Sequence, residues 1–376
     1  GSTTGNNKVN MSSTTVSGVV TGGAGSGTGN ALTVKGNNRA GNIAGFQKLT
    51  FNLGNLNRTN PMLRLTSGTA TNITFGSIAF EGTPEPKVGQ ITLVEKSAPS
   101  IHVADYAGVR GRTEGDFEYD LDTDTQTANA KKILFDGYRF RNAVVTGAAS
   151  GTDTWAGRSR IGNSTVNNRL TITGGSTTNA YGGWTAGTGT TAPAAQQNNT
   201  KDNTATLNAG TITNLYGGYT DAAAGKATGN KVFVNGGSVT ANVTGGFGGT
   251  DATDNHVTVT GGSVGGTIRG AQSAGTAHKN TVEIKGGNVH AGILGADAAG
   301  AATENKVTTT GTVTGNITGA KSTSGAVTKN VVTIKGNVTG NVTGGQTTGA
   351  ANANTVDLGA VTINGSVTGG AGSTTG

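Results

Sequence analysis

Four histidines, a run of alternating aspartates and two recurring sets of Asn and aromatic residues are where this 376-residue sequence could do chemistry. Asp120-Leu121-Asp122-Thr123-Asp124 starts like a calcium loop, in which carboxylates at alternate positions converge on one hard cation. Such a loop needs Gly at its sixth position and Glu at its twelfth. Thr125 and Lys131 stand there instead, so a solvated acidic turn is expected. His102, His256, His278 and His290 have no Cys and no closely spaced Asp or Glu beside them, and give no metal-ligand pattern. No G-x-S-x-G, P-loop or H-E-x-x-H occurs. Cleavage of a polysaccharide needs paired carboxylates, whereas Glu283, Asp297, Glu304 and Asp357 are scattered. The residues therefore predict a chain that is not an enzyme and uses no cofactor or metal. A polysaccharide-processing enzyme would have to work through residues 76–160, where no carboxylate pair suggests itself.

Two sets remain. Asn230, Asn255, Asn280, Asn305, Asn330 and Asn354 follow one another at intervals of 25, 25, 25, 25 and 24. A side-chain amide repeated at that spacing can bond its neighbour's amide, so a structural ladder is expected. The second set lies in N-A-Y-G-G-W, N-L-Y-G-G-Y and N-V-T-G-G-F, which align Trp184 with Tyr219 and Phe247, and Tyr181 with Tyr216. Facing outward, such a file offers a platform for sugar rings or a protein partner. Core or corner packing is the preferred reading, and no aromatic follows Phe247.

Both sets belong to a repeat of about 25 residues, the signature of stacked units. Two residues after each Asn, apolar side chains alternate, as in Val232 and Val234, Val257 and Val259, or Val282 and Ile284. Period two marks a strand with one buried face. Gly-Gly corners follow, then inward Val239, Val264 and Val289, then Val243, Ile268, Ile293, Ile317, Val342 and Val367. Two residues beyond these comes an unbroken Gly column, Gly245 to Gly369. Three residues before each Asn sits Ala, or Val327, expected to point inward. One repeat cannot bury its own apolar row, and stacking at ~4.8 Å does. The prediction is an all-β parallel β-helix of three-strand rungs, right-handed by the crossover preference of parallel strands. Asn7, Asn30, Asn168 and Asn203 start further copies, and residues 188–200 lengthen one loop. Solenoid rungs are thus expected over 1–75 and 161–376. Residues 76–160 hold most of the 20 acidic residues and read as strand, loop and strand, a hairpin or irregular rungs projecting from or interrupting the stack.

Composition fits: 67 Gly and only 5 Pro, with no Cys and so no disulfide or thiolate site. The formal charge of +7 is spread singly rather than as the stripe of a nucleic-acid reader, so no specific nucleic acid is expected. No apolar run is long enough to span a bilayer as a helix, and no signal peptide opens the chain.

N-K-V-F-V-N-G-G-S-V-T-A-N-V-T-G-G-F-G-G and N-L-Y-G-G-Y-T-D-A-A-A-G-K-A-T-G-N resemble the Gly/Asn/Thr-rich repeats of autotransporter passenger domains, the secreted parts of type V bacterial surface proteins. The resemblance covers the repeat regions. It implies export, an extracellular or cell-surface location, and a role as an adhesin or surface scaffold that binds host or neighbouring-cell proteins or glycans, or other copies of itself. The signal and the membrane barrel of that family are not in this sequence. Gly1-Ser2-Thr3-Thr4-Gly5 and Gly372-Ser373-Thr374-Thr375-Gly376 fall at the same phase of the rung, neither reading as a polar cap. The expectation is a stack that continues, into more chain or into another copy as a homopolymeric filament.

Overall fold

The computed structural model describes residues 5–23, 28–54, 56, 59–83, 85, 87–106, 111–186 and 198–372. Most of residues 188–200 and both outermost termini lie outside them. The chain is nearly all β, 60% strand and 1% helix, and its parallel coils stack as a β-solenoid of about 14 turns counted over both units. It divides into two compact units, Gly1–Arg139 and Phe140–Gly376.

The second unit follows the repeat closely. Strands Lys231–Val234, His256–Val259, Thr281–Ile284, Lys306–Thr309 and Val331–Ile334 pair in parallel with no register slip, so equivalent residues lie one above another. In-register stacking turns each apolar position into a continuous column, with Val232, Val257, Val282, Val307 and Val332 all inaccessible to solvent. The segment expected as a loop is itself a short strand. Lys226–Thr228, Asp251–Thr253, Thr276–His278 and Ala302–Thr303 belong to an 8-stranded parallel sheet of their own. A rung therefore has four strand segments. The fourth turns Ala227, Ala252, Ala277, Ala302 and Val327 inward, all wholly buried.

Two backbone requirements fix the corners. The residue before each anchoring Asn adopts a left-handed conformation, with φ of 56° at Asp254, 56° at Lys279, 57° at Glu304 and 58° at Lys329. That conformation costs a non-Gly residue on the order of 1–2 kcal/mol, so something at each corner enforces it. The Gly column has a different cause. A Cβ on Gly295 would stand 2.1 Å from the carbonyl oxygen of Gly319 in the next rung. Gly is required there by the approach of two backbones, not by φ.

Regular stacking begins earlier than residue 161. Strands Val144–Ala149 and Asp153–Ser159 already pair in parallel with Arg169–Thr185. Ala143 occupies the anchor position of that rung, its N–H donating to Asn168 Oδ1 (2.9 Å), which hides the rung from an Asn template.

The first unit starts as a similar stack, Lys8–Ser12 on Ala31–Lys35 on Lys48–Asn52 on Ile78–Glu81. Residues 76–139 contain the expected strand–loop–strand hairpin, and it packs into the core of this unit. Lys87–Lys96 pairs in parallel with Leu63–Leu65 on one edge and antiparallel with Lys132–Arg139 on the other. Phe117–Thr123 then adds antiparallel to that strand. Alternation puts Phe117, Tyr119, Leu121, Ile133 and Phe135 into the same core as Leu32, Val34 and Phe51. The rings of Tyr119 and Phe135 each lie 4.8 Å from that of Phe80, the first edge-on and the second tilted.

That unit also buries a lysine. Lys96 Nζ donates to the Ser67 carbonyl (2.8 Å) and to Asn42 Oδ1 (3.4 Å), both neutral. Burial holds its pKa below the ordinary lysine value of 10.5. The unfolded chain thus binds the proton more tightly, and stability of this unit rises with pH from the depressed folded pKa up to 10.5. Lys96→Met should flatten that rise and stabilise the unit near pH 7 by about 1 kcal/mol, because it removes an uncompensated buried charge. Hydrogen exchange of unit 1 amides in wild type and variant, between neutral and alkaline pH, measures both effects; an unaltered pH dependence would contradict this account.

Candidate binding surface: a buried amide ladder and an outer aromatic file

The left-handed residue delivers each Asn side chain into the stack. Asn230, Asn255, Asn280, Asn305 and Asn330 are wholly buried. Each Nδ2 donates to the Oδ1 of the next rung's Asn, at 3.0, 3.0, 2.9, 3.0 and 2.9 Å along the run from Asn230 to Asn354. The second Nδ2 proton goes to the carbonyl of the small inward residue below, Asn255 to Ala227 and Asn280 to Ala252 (2.9 Å each). The backbone N–H of Asn255 also donates to Asn280 Oδ1 (3.0 Å), and its carbonyl accepts from Thr281 N–H (2.8 Å). Every donor and acceptor of a buried Asn is thereby used. The ladder starts at Asn168 and Asn203. In unit 1 a shorter version links Asn7 to Asn30 (3.0 Å), and Gln47 Oε1 takes the Asn position by accepting from Asn30 N–H (2.9 Å).

The aromatic file is on the outer face of unit 2. Ala180 and Leu215 point into the core, so the residues after them, Tyr181 and Tyr216, point away from it. Parallel register places Tyr181 against Tyr216, and Trp184 against Tyr219 and then Phe247. Tyr181 is buried by its neighbours; Trp184, Tyr216, Tyr219 and Phe247 are half-buried. Tyr181 stacks on Tyr216 (5.2 Å between centroids, 11° between planes), and Tyr219 on Phe247 (4.8 Å, 20°). At the other end the Arg158 guanidinium lies 4.2 Å from the Trp184 ring centre and 4.7 Å from that of Trp155.

This geometry decides what the file can do. A sugar platform needs exposed ring faces. Here Tyr181 stacks on Tyr216 and Trp184, Tyr219 stacks on Phe247 and meets Tyr181 and Tyr216 edge-on, and Arg158 lies over Trp184. Much of the ring area is thus taken up by ring-on-ring contact within the file. Burial raises the pKa of Tyr181, Tyr216 and Tyr219, with Asp153 adding to the effect at Tyr181, Tyr219 at Tyr216, and Asp221 at Tyr219. These phenols remain protonated donors.

Beside the rings runs a second amide file that sequence reasoning missed. Asn179 donates to Asp153 Oδ1 (3.0 Å), Asn214 to Asn179 Oδ1 (3.1 Å) and Asn242 to Asn214 Oδ1 (3.3 Å). Arg269 continues it, reaching Asn242 Oδ1 (3.2 Å) and Asp297 Oδ2 (3.4 Å). Its signal was the Asn opening each of N-A-Y-G-G-W, N-L-Y-G-G-Y and N-V-T-G-G-F. This outer file donates toward lower residue numbers, opposite to the inner ladder.

The other singled-out residues stay apart. Asp124 Oδ1 accepts from Lys131 and Lys132 N–H (3.0 and 3.2 Å), Asp122 Oδ1 from Tyr106 Oη (2.8 Å) and Asp120 Oδ1 from Gly111 N–H (2.7 Å). The aspartates thus shape turns. His102 lies against Asn129 (2.9 Å), His256 against Thr258 (2.8 Å) and His278 near Asp251 (3.7 Å), while His290 is exposed. Among the described residues no group of three or more His, Asp or Glu is placed to hold a metal ion. Compared with known proteins, the chain matches no family model, no curated protein and no solved structure.

Asn280→Ala should strip two donors of Asn255 of their shared acceptor, and Ala252 and Asn305 of a donor each, at once. The expected cost is roughly 3–5 kcal/mol, from several buried groups at 1–3 kcal/mol each. Hydrogen exchange at Asn255 and Asn280 should accelerate first, and a variant as well protected as wild type would refute the ladder's role. For the aromatic file, Tyr216→Phe should leave the melting temperature unchanged while Tyr216→Ala costs about 2 kcal/mol; equal losses would assign the work to the hydroxyl rather than to ring stacking.

Proposed function

We propose that this chain is a non-catalytic scaffold of an exported bacterial surface protein, similar to an autotransporter passenger, which mediates attachment or self-association through its outer faces. One observation carries the reading. The interior is written the same way in rung after rung, whereas the column outside it changes freely. The position of Tyr219 is followed, in register, by Phe247, Gln272, Asp297, Lys321 and Gln346, none of them buried. A core satisfied by its own repeat places few demands on those side chains, so they are available for contact with a surface. Multiple weak contacts along a repeated face add through multivalency. The Gly/Asn/Thr repeat motifs support the passenger assignment.

The test is display. The chain is placed between an export signal and an outer-membrane barrel, and the cells are scored for adherence to host cells and for clumping, against cells carrying the barrel alone. Adherence or clumping should rise roughly tenfold or more. Efficient surface exposure with no gain in either would end this reading.

A further inference from the structure

Among the described residues of unit 1, the rung that opens at Asn30 is incomplete. Asn30 and its equivalent Gln47 are 17 residues apart, against 25 between Asn230 and Asn255. After strand Asn38–Ala44 the chain turns through Gly45, Phe46 and Gln47 straight into Lys48–Asn52. The fourth strand segment, present in the rungs of unit 2 as Asp251–Thr253 or Thr276–His278, is missing here.

The rung above shows the consequence. Its fourth segment, Thr71–Ile73, is the edge of a three-stranded sheet and, among the described residues, pairs only with Ile101–Val103. Thr71 N–H donates to Ser100 O, and Ile73 O accepts from Ala104 N–H (3.4 Å each), so both residues aim their backbone at that neighbour. Strand alternation turns the N–H and C=O of Asn72 to the open side. Neither group has a partner among the described residues. Against this edge lies a cavity of about 460 Å³ lined by Ile43, Phe46, Gln47, Leu49, Asn72 and Ser77 among others, with no charged side chain. The volume is in the range of ligand sites. An open strand edge is a template for another strand.

We propose that this cavity receives an extended peptide segment, which adds in parallel to the Thr71–Ile73 edge and supplies the missing fourth side. Asn72 donates its N–H to a peptide carbonyl and accepts a peptide N–H at its own carbonyl. The occupant's chemistry follows from the protein's own rungs. In unit 2 the same place is filled by triplets such as Lys226-Ala227-Thr228, with the small central side chain inward and the polar flanks outward. The partner segment therefore carries Ala, or a residue of similar size, between polar residues, and has no Pro at the bonded positions. Ile43, Leu49 and Ile73 form the apolar floor for that central side chain. The neutral lining disfavours a charged group at the centre.

The full chain, labelled with ¹⁵N, is titrated with an acetylated and amidated peptide copying Gly225–Gly229. The backbone amide of Asn72 and the side-chain amide of Gln47 should shift together. Exchange of the Asn72 N–H should slow roughly tenfold at saturation. The same peptide with Pro for its central Ala should leave both unmoved. A second measurement uses a variant in which the eight missing residues (25 − 17), copied from Gln272–Lys279, are inserted between Phe46 and Gln47. Asn72 N–H should then be protected without peptide, and the peptide shifts should vanish. The proposal is overturned if Asn72 N–H is already as protected as the paired strand amides in the free chain. It is overturned equally if the Ala and Pro peptides act alike, or if a methyl glycoside shifts Asn72 while the peptide does not.

Discussion

The buried Asn amide is the group on which this architecture turns. An uncharged side chain with two donors and a two-pair acceptor sits at the same place in each regular rung, cut off from water. Left alone it would cost several kcal/mol. Stacked, each amide closes four bonds: one to the amide above, one to the carbonyl of the small residue below, and two accepted from the rung beneath. The polar group that should weaken a core instead ties three successive rungs together, in a low-dielectric setting where such bonds are strong.

Other features follow from keeping those amides in line. To aim its side chain inward the Asn must leave a tight corner, and the preceding residue takes the left-handed conformation even where it is Lys279, Glu304 or Lys329. Strain of this kind persists only where surroundings over-determine it, and the closed amide network does so. Rungs held at hydrogen-bonding distance on every side also bring corner backbones together, which leaves room only for hydrogen at Gly245, Gly270, Gly295 and Gly319.

Much of this was legible in the sequence, for a physical reason. In a parallel in-register stack the sequence period and the structural period coincide, so columns of Asn, Val, Gly and Ala can be read directly. The unread parts are those where the period breaks. Ala143 opens unit 2 without an amide, because the first amide that has to be satisfied is that of Asn168. Gln47 replaces Asn in a rung too short for the template. In residues 76–139 the hairpin of Phe117–Thr123 and Lys132–Arg139 is legible as strand, loop and strand, but its antiparallel pairing with Lys87–Lys96 and the place of its aromatics in the core of unit 1 are long-range and leave no local pattern. The aromatic set is legible as a file, but which rings stack and which meet edge-on depends on their three-dimensional placement. Outside the ladders, columns such as Tyr216, Thr244 and Arg269 hold unlike residues and show no period at all.

The inner ladder has a direction. Each rung offers the same donors on one side and the same acceptor on the other, at the same positions, whatever its outer face carries. Rungs are therefore interchangeable parts. In-frame duplication or loss of one repeat joins matching surfaces and leaves no orphaned amide at the seam. Length then becomes a trait that recombination between neighbouring repeats can change by whole units, while the outer columns diversify separately. A gene of this design can lengthen its product and vary its exterior without having to solve the folding problem again.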